Sequence, residues 1–262
     1  MNLESMVKDI WYGDISNDRI ENLKFKLKDV TTEKGCFLLI NELLKLGDFS
    51  VKGLLIQLMN STQDEVILNL CTRLFCSIAT HDDLLDTNNL KFLSNASEDG
   101  VHNFVASASE TLSFNVIPYL FTLLEEWEDT FIEKSIRNTL ALMLGIYDDC
   151  YERSIEELGE IYFEFVKNSD TTKYYYHNDL SFPGDLVKEL IPRVMISLRD
   201  KKPFDMVIIP SILSIWSGAK CPVQYGTIIT DEKYRELMLY IDSLTKKEWK
   251  IGEKYFYGHV VV

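Results

Sequence analysis

Apolar residues recur at helical spacing through roughly the first 170 positions of this chain, and apolar–polar alternation is rare. One stripe follows the capping residues of segment 61–65 and consists of Ile67, Leu70, Cys71, Leu74, Phe75 and Ile78. Another consists of Ile155, Leu158, Tyr162, Phe165 and Val166. The acids of that segment point away from its stripe, so one helix face is buried and the other is negative. The pattern therefore predicts an all-α fold.

Further helices are predicted at 18–29, 34–46, 50–60, 98–110, 116–127, 130–145, 184–199, 205–217 and 231–245. Gly47, Gly145 and Gly218 stand where three of these helices should end. The aromatic and β-branched stretch from 249 to 262 predicts a short strand or an extended tail packed on the helices. We expect a single helical domain over 1–262, softly divided into a helical-repeat part, 1–167, and a loop-richer part, 168–262.

Part of the helical pattern repeats. Five positions match at a constant offset of 66 residues, namely Leu70, Leu74, Ile78, Asp82 and Asp83 with Ile136, Leu140, Leu144, Asp148 and Asp149. Ile-Pro occurs at 117–118, 191–192 and 209–210, which predicts helix starts or kinks. The repeat favours an irregular stack of antiparallel helix pairs that resembles a degenerate HEAT-like α-solenoid. An irregular helical bundle is the alternative.

Charge narrows the choice of partner. Lys and Arg number 27 against 41 Asp and Glu, a formal charge of −14, and no polybasic run is present. We therefore expect no nucleic acid and no membrane surface as partner, and a basic protein surface would be attracted. Five scattered cysteines, an N-terminus without a signal pattern and the lack of a long apolar run predict a cytoplasmic protein without disulfides.

The strongest hint of catalysis is His81-Asp82-Asp83 with Asp86, because histidine and carboxylates can bind a metal that activates water. The other three histidines have no spacing that would complete a ligand set, and the repeat has Tyr147 in place of His81. The Asp-Asp pair thus fits a turn or helix cap. No common phosphate, dinucleotide, acyl-transfer or zinc-protease motif occurs. We expect no catalytic residue, no metal and no cofactor.

Acidic clusters interleaved with aromatic residues are the candidate binding surface, since aromatic anchors rimmed by charge are typical of interfaces. The candidate residues are Glu125, Glu126, Trp127, Glu128, Asp129, Asp148, Asp149, Glu152, Glu156, Glu160, Tyr174, Tyr175 and Tyr176. Three consecutive tyrosines in a loop cannot all point inward, so at least one should be exposed or covered by a partner. A solvated acidic helix surface is the alternative interpretation.

Two elements near the end of the chain carry a family resemblance: Trp216-Ser217-Gly218-Ala219-Lys220 and the segment from Trp249 to Gly258. With the acidic helical character of the chain, they resemble bacterial immunity proteins of polymorphic toxin systems, in particular the immunity protein 47 family. The resemblance implies a cytosolic protein that binds and neutralises a cognate toxin, often one with a basic surface. A helical-repeat scaffold or adaptor that binds a protein or peptide, and a metal-dependent hydrolase built on His81 and Asp82, remain the alternatives.

Overall fold

The structure, a computed structural model, describes residues 17–146 and 153–262. It confirms the all-α class. The helices are α1 Ile20–Asp29, α2 Glu33–Lys45, α3 Lys52–Ser61, α4 Glu65–Ile78, α5 His81–Leu85, α6 Glu98–Ala108, α7 Ile117–Glu126, α8 Phe131–Leu144, α9 Ile155–Asn168, α10 Pro183–Asp200, α11 Ile208–Ser217 and α12 Asp231–Thr245. Short 3-10 helices cover Phe49–Val51, Thr87–Asn95, Ser109–Thr111 and Phe114–Val116.

The two repeat copies have the same order and lengths of elements. In each copy a three-residue 3-10 helix leads into a 10-residue helix, α3 or α7, and then into a 14-residue helix, α4 or α8. Within each copy the two long helices pack on each other, and α6 lies between the copies, packed on both α4 and α8. The apolar stripe of α4 is buried in these contacts. Each helix thus buries against its neighbours the apolar face that it could not bury alone.

Glycine and proline act where the pattern predicts. Gly145 and Gly218 adopt φ of +65° and +68° and end α8 and α11 in the left-handed conformation that favours glycine. Pro118 lies in the first turn of α7, and Pro210 in the first turn of α11. Pro192 lies inside α10 on its exposed side, where water can reach the carbonyl that loses its hydrogen bond.

Two short antiparallel hairpins complete the fold. Strands β1 Tyr175–Tyr176 and β2 Asp179–Leu180 pair Tyr175 with Leu180, and strands β3 Tyr255–Phe256 and β4 His259–Val260 pair Tyr255 with Val260. β3 is buried and packs on α11 and α4. The short strand expected within 249–262 is thus confirmed, and it belongs to the core.

The structure corrects one helix boundary and adds one helix. Helix α11 begins at Ile208, not at 205, because the preceding segment is extended: the backbone N–H of Phe204 donates to the carbonyl of Thr227, and Pro203 bridges Ile228. The pattern also missed α5, a single turn held by a capping box in which Thr80 and Asp83 bond each other's backbone N–H groups. Neither feature has a hydrophobic period long enough to be recognised in the sequence.

Candidate partner-binding surface

The turn between α7 and α8 exposes a run of acids. Glu125, Glu126, Glu128 and Asp129 are all exposed, whereas Trp127 is half-buried and packs against the hydrophobic core. Asp129 adopts a φ of +62°, and its backbone N–H donates to Glu133 at 3.0 Å. The turn therefore holds its carboxylates outward while the indole is directed inward.

Helix α9 presents a second group of exposed acids, Glu156, Glu157 and Glu160. The helix starts with a capping box: Ser154 accepts from the backbone N–H of Glu157, and the Glu157 carboxylate accepts from the backbone N–H of Ser154 at 2.8 Å. Hydrogen bonds from its own backbone N–H and from Ser154 lower the pKa of Glu156. The Glu156 carboxylate is therefore ionised at neutral pH.

A hydrogen-bonded chain joins these two acidic groups. The Glu133 carboxylate accepts from Arg137 Nε at 2.7 Å as well as from Asp129, and Arg137 Nη1 donates to the carbonyl of Arg153 at 3.0 Å. Hydrogen bonds from Arg137 and from the backbone N–H of Asp129 lower the pKa of Glu133, so this carboxylate is ionised at neutral pH. Because Arg153 directly precedes the Ser154 cap, the network links the α7–α8 turn to the start of α9.

Ring contacts show that α7 and α9 run antiparallel. Phe114, ahead of α7, lies 4.1 Å from Phe165 near the end of α9, and Phe121 within α7 lies 6.0 Å from Tyr162 one turn earlier. The acidic end of α7 and the acidic start of α9 therefore lie at the same end of the helix pair.

Two exposed phenylalanines were missed in the sequence pattern. Phe131, the first residue of α8, is 64% exposed directly after the acidic turn, and Phe163 is 69% exposed on the face of α9 that carries Glu156 and Glu160. Both could have been found from their positions outside the apolar stripes. We define the acidic end surface as Glu125, Glu126, Glu128, Asp129, Phe131, Glu156, Glu160 and Phe163.

The three consecutive tyrosines lie towards the other end of α7 and α9 from the acidic turn. Tyr174 is buried, and Tyr175 and Tyr176 are half-buried in β1, so none of the three rings is fully exposed. The hairpin lets the chain cover the rings itself: Tyr174 stacks on His81, and Tyr175 packs on Phe114 and Phe165. Phe165 lies about 15 Å along α9 from its acidic start.

Three further candidate residues, Asp148, Asp149 and Glu152, lie outside the described residues together with Tyr147.

In the His81-Asp82-Asp83 motif, His81 and Asp83 each make structural contacts. Asp83 caps α5 and pairs with Lys52 Nζ at 2.6 Å, and these bonds lower the pKa of its carboxyl against the effect of burial. His81 Nδ1 lies 2.8 Å from the buried Ser113 Oγ, and burial lowers the pKa of the imidazole. Within 17–146 and 153–262 no three His, Cys, Asp or Glu side chains are placed to hold a metal ion.

The helices found in the same two ranges are too short or too polar to cross a lipid bilayer. The fold defines the chain as an all-α protein of packed helix pairs with an acidic end surface.

The particular family follows from comparison with known proteins. The family model for immunity protein 47 matches residues 6–261, nearly the whole chain, so the chain belongs to the immunity protein 47 family. Its members are immunity proteins, which act against toxins. No curated protein and no solved structure matches the chain.

Proposed function

We propose that this immunity protein neutralises its toxin by covering a basic region of the toxin with the acidic end surface. The observation that carries the proposal is the placement of exposed carboxylates and the exposed Phe131 where the end of α7 meets the starts of α8 and α9, with Phe163 exposed about 12 Å further along α9. The partner we infer is a basic toxin domain of a polymorphic toxin system, met in the cytoplasm. Binding needs no cofactor, and the protein itself catalyses nothing.

The carboxylates and the aromatic rings have different tasks in this proposal. Exposed charges act over roughly 8 Å at physiological ionic strength and raise the rate at which oppositely charged proteins meet. Phe131 and Phe163 lose water only on contact, so they stabilise the complex after it has formed. Arg137 and Glu133 keep the two acidic groups in one arrangement, which limits the entropy lost on binding.

The charge contribution is tested by measuring association with the cognate toxin at several salt concentrations. A variant with Glu125→Gln, Glu126→Gln, Glu156→Gln and Glu160→Gln should associate about tenfold more slowly at low salt, with a flatter salt dependence. The control carries the same loss of charge on other elements, as Glu21→Gln, Glu98→Gln, Asp205→Asn and Glu232→Gln. Equal rates for the two variants would show that only the net charge matters and would contradict the proposal.

The aromatic contribution is tested in the same complex. Phe131→Ala should cost about 2 kcal/mol of binding free energy and act through faster dissociation. Phe25→Ala is the matched control, because Phe25 is 67% exposed on α1, away from this surface. If Phe131→Ala, like the control, leaves dissociation and the protection of toxin-expressing cells unchanged, the toxin binds elsewhere on the protein.

A further inference from the structure

A large groove opens on the side of the molecule formed by the start of α10, the end of α12 and the β3–β4 hairpin. Its volume is about 800 Å³, within the range of small-ligand sites. The apolar part of its lining consists chiefly of Phe182, Val187, Ile241, Trp249, Tyr255 and Val260. None of these residues belongs to the acidic end surface.

The aromatic wall of the groove is fixed by hydrogen bonds from within the protein. Trp249 Nε1 donates to the carbonyl of Leu244 at 2.9 Å, and the Tyr255 hydroxyl accepts from the backbone N–H of Lys250 at 2.8 Å. The rings of Trp249 and Tyr255 pack edge to face, 4.8 Å apart, which fixes both. Tyr255 is buried behind this wall, so the half-buried Trp249 is the ring that offers surface to a ligand.

The rim is basic, in contrast to the chain as a whole. Lys247 and Lys250 line the groove against one acid, Glu248. Lys247 Nζ donates to the carbonyl of Ser217 and lies 6.0 Å from the centre of the Trp249 ring system. Lys250 is exposed, and no ion pair engages it within the described part of the chain. A ligand with an anionic group would find its counter-charge at this rim.

We propose that the groove binds an amphipathic small anion, a carboxylate on an aromatic or aliphatic body. The body packs on Trp249 and Val260 and the carboxylate lies at Lys250 and Lys247. The formal charge of −14 repels anions at a distance. The preference for an anionic ligand therefore depends on direct contact of its carboxylate with the lysines of the rim. The site is independent of the toxin interface, and either proposal can fail without the other.

The test is calorimetric titration of the full chain with naphthaleneacetate and with its neutral isostere naphthaleneacetamide. We expect saturable one-to-one binding of the acid, with the amide about fivefold weaker because it lacks the ion pair with the rim. Lys250→Glu should weaken the acid by at least about fivefold and leave the amide unchanged. Lys246→Glu is the matched control, since Lys246 pairs with Asp242 and does not line the groove.

The apolar contact is tested separately. Val260→Asp places a charge in the groove and should weaken both compounds, whereas Val262→Asp, at a more exposed side chain outside the lining, should weaken neither. Circular dichroism verifies that each variant is folded. Absence of saturable binding at millimolar concentration, equal affinity for acid and amide, or equal effects of Lys246→Glu and Lys250→Glu would overturn the proposal. A separate measurement of toxin binding by the Lys250→Glu variant tests the proposed function and does not bear on the groove.

Discussion

At the scale of single residues, Lys254 shows how a charge can be accommodated in the core. Its side chain is fully buried, and Nζ donates to the carbonyls of Cys76, Ala79 and Thr111 at 2.8 to 3.1 Å. Cys76 and Ala79 lie at the end of α4, where carbonyls lack helical partners. One ammonium thus satisfies a helix end and joins it to the C-terminal hairpin.

Replacement of this lysine tests its structural role. Lys254→Met keeps the length of the side chain but leaves three buried carbonyls without a donor, so the free energy of unfolding should fall by about 3 kcal/mol. Urea unfolding followed by circular dichroism measures the change. Lys220→Met, at an exposed lysine, is the control. A variant as stable as the parent would show that relief of the buried charge outweighs the lost hydrogen bonds.

The same lysine predicts a pH dependence. Burial lowers the pKa of Lys254 to about 7, whereas the unfolded chain has a lysine pKa of about 10.4. Between these values the unfolded state binds more protons, so this contribution to stability rises with pH, by at most about 1.4 kcal/mol per unit. The contribution of Lys254 to stability is therefore smallest near pH 7 and stays constant at lower pH. Unfolding of the parent and Lys254→Met at pH 6, 8 and 9 should show this slope in the parent alone, and parallel pH profiles would contradict it.

At the scale of elements, the repeat copies differ in how their long helices begin. In the first copy Asp64 caps α4 by accepting from the backbone N–H groups of Val66 and Ile67. In the second, Thr130 makes no capping bond to α8 and donates instead to the carbonyl of Trp127 at 2.7 Å. The helix pair thus forms with and without a side-chain cap. Both long helices pack on α6, and tertiary packing is the main source of helix stability in proteins.

This difference predicts unequal effects at corresponding positions. Asp64→Ala should lower the free energy of unfolding by about 1 kcal/mol, because two backbone donors of α4 lose their acceptor. Thr130→Ala loses only an exposed bond and should change it by less than about 0.5 kcal/mol. Chemical denaturation measures both. Equal losses would mean that Thr130 also acts as a helix cap.

At the scale of the whole molecule, the loop-richer part, 168–262, is connected to the helical-repeat part through buried polar contacts. Ser211 and Ser77 both donate to Glu110, and the backbone N–H of Tyr175 donates to the carbonyl of Leu112. The hairpin that carries Lys254 also satisfies α11, since the backbone N–H of Tyr257 donates to the carbonyl of Ile215. These contacts support a single folding unit.

A single unit should lose its structure in one transition. We expect hydrogen-exchange protection of α4 and of α11 to disappear together as urea is raised. Phe256→Ala, at a fully buried ring of β3, should lower both transitions equally, by about 3 to 5 kcal/mol. Loss of protection in α11 at clearly lower urea than in α4 would divide the chain into two units near the predicted boundary.

The sequence by itself determined most of the helices, their repeat and the family. Apolar periods, glycine at helix ends and the constant offset are local properties, so they can be recognised without a structure. Trp249 and the segment up to Gly258 carried the resemblance that the family match over residues 6–261 bears out.

Only the tertiary structure decided which polar and aromatic residues face solvent. In sequence, Trp127 and the three tyrosines resemble exposed interface rings. In the structure Tyr174 is buried and the other three are half-buried, whereas Phe131 and Phe163 are exposed. Lys254 likewise looks like a surface lysine until the ends of α4 and the Ser109–Thr111 helix meet around it. Burial depends on neighbours far apart along the chain, and no local pattern encodes those neighbours.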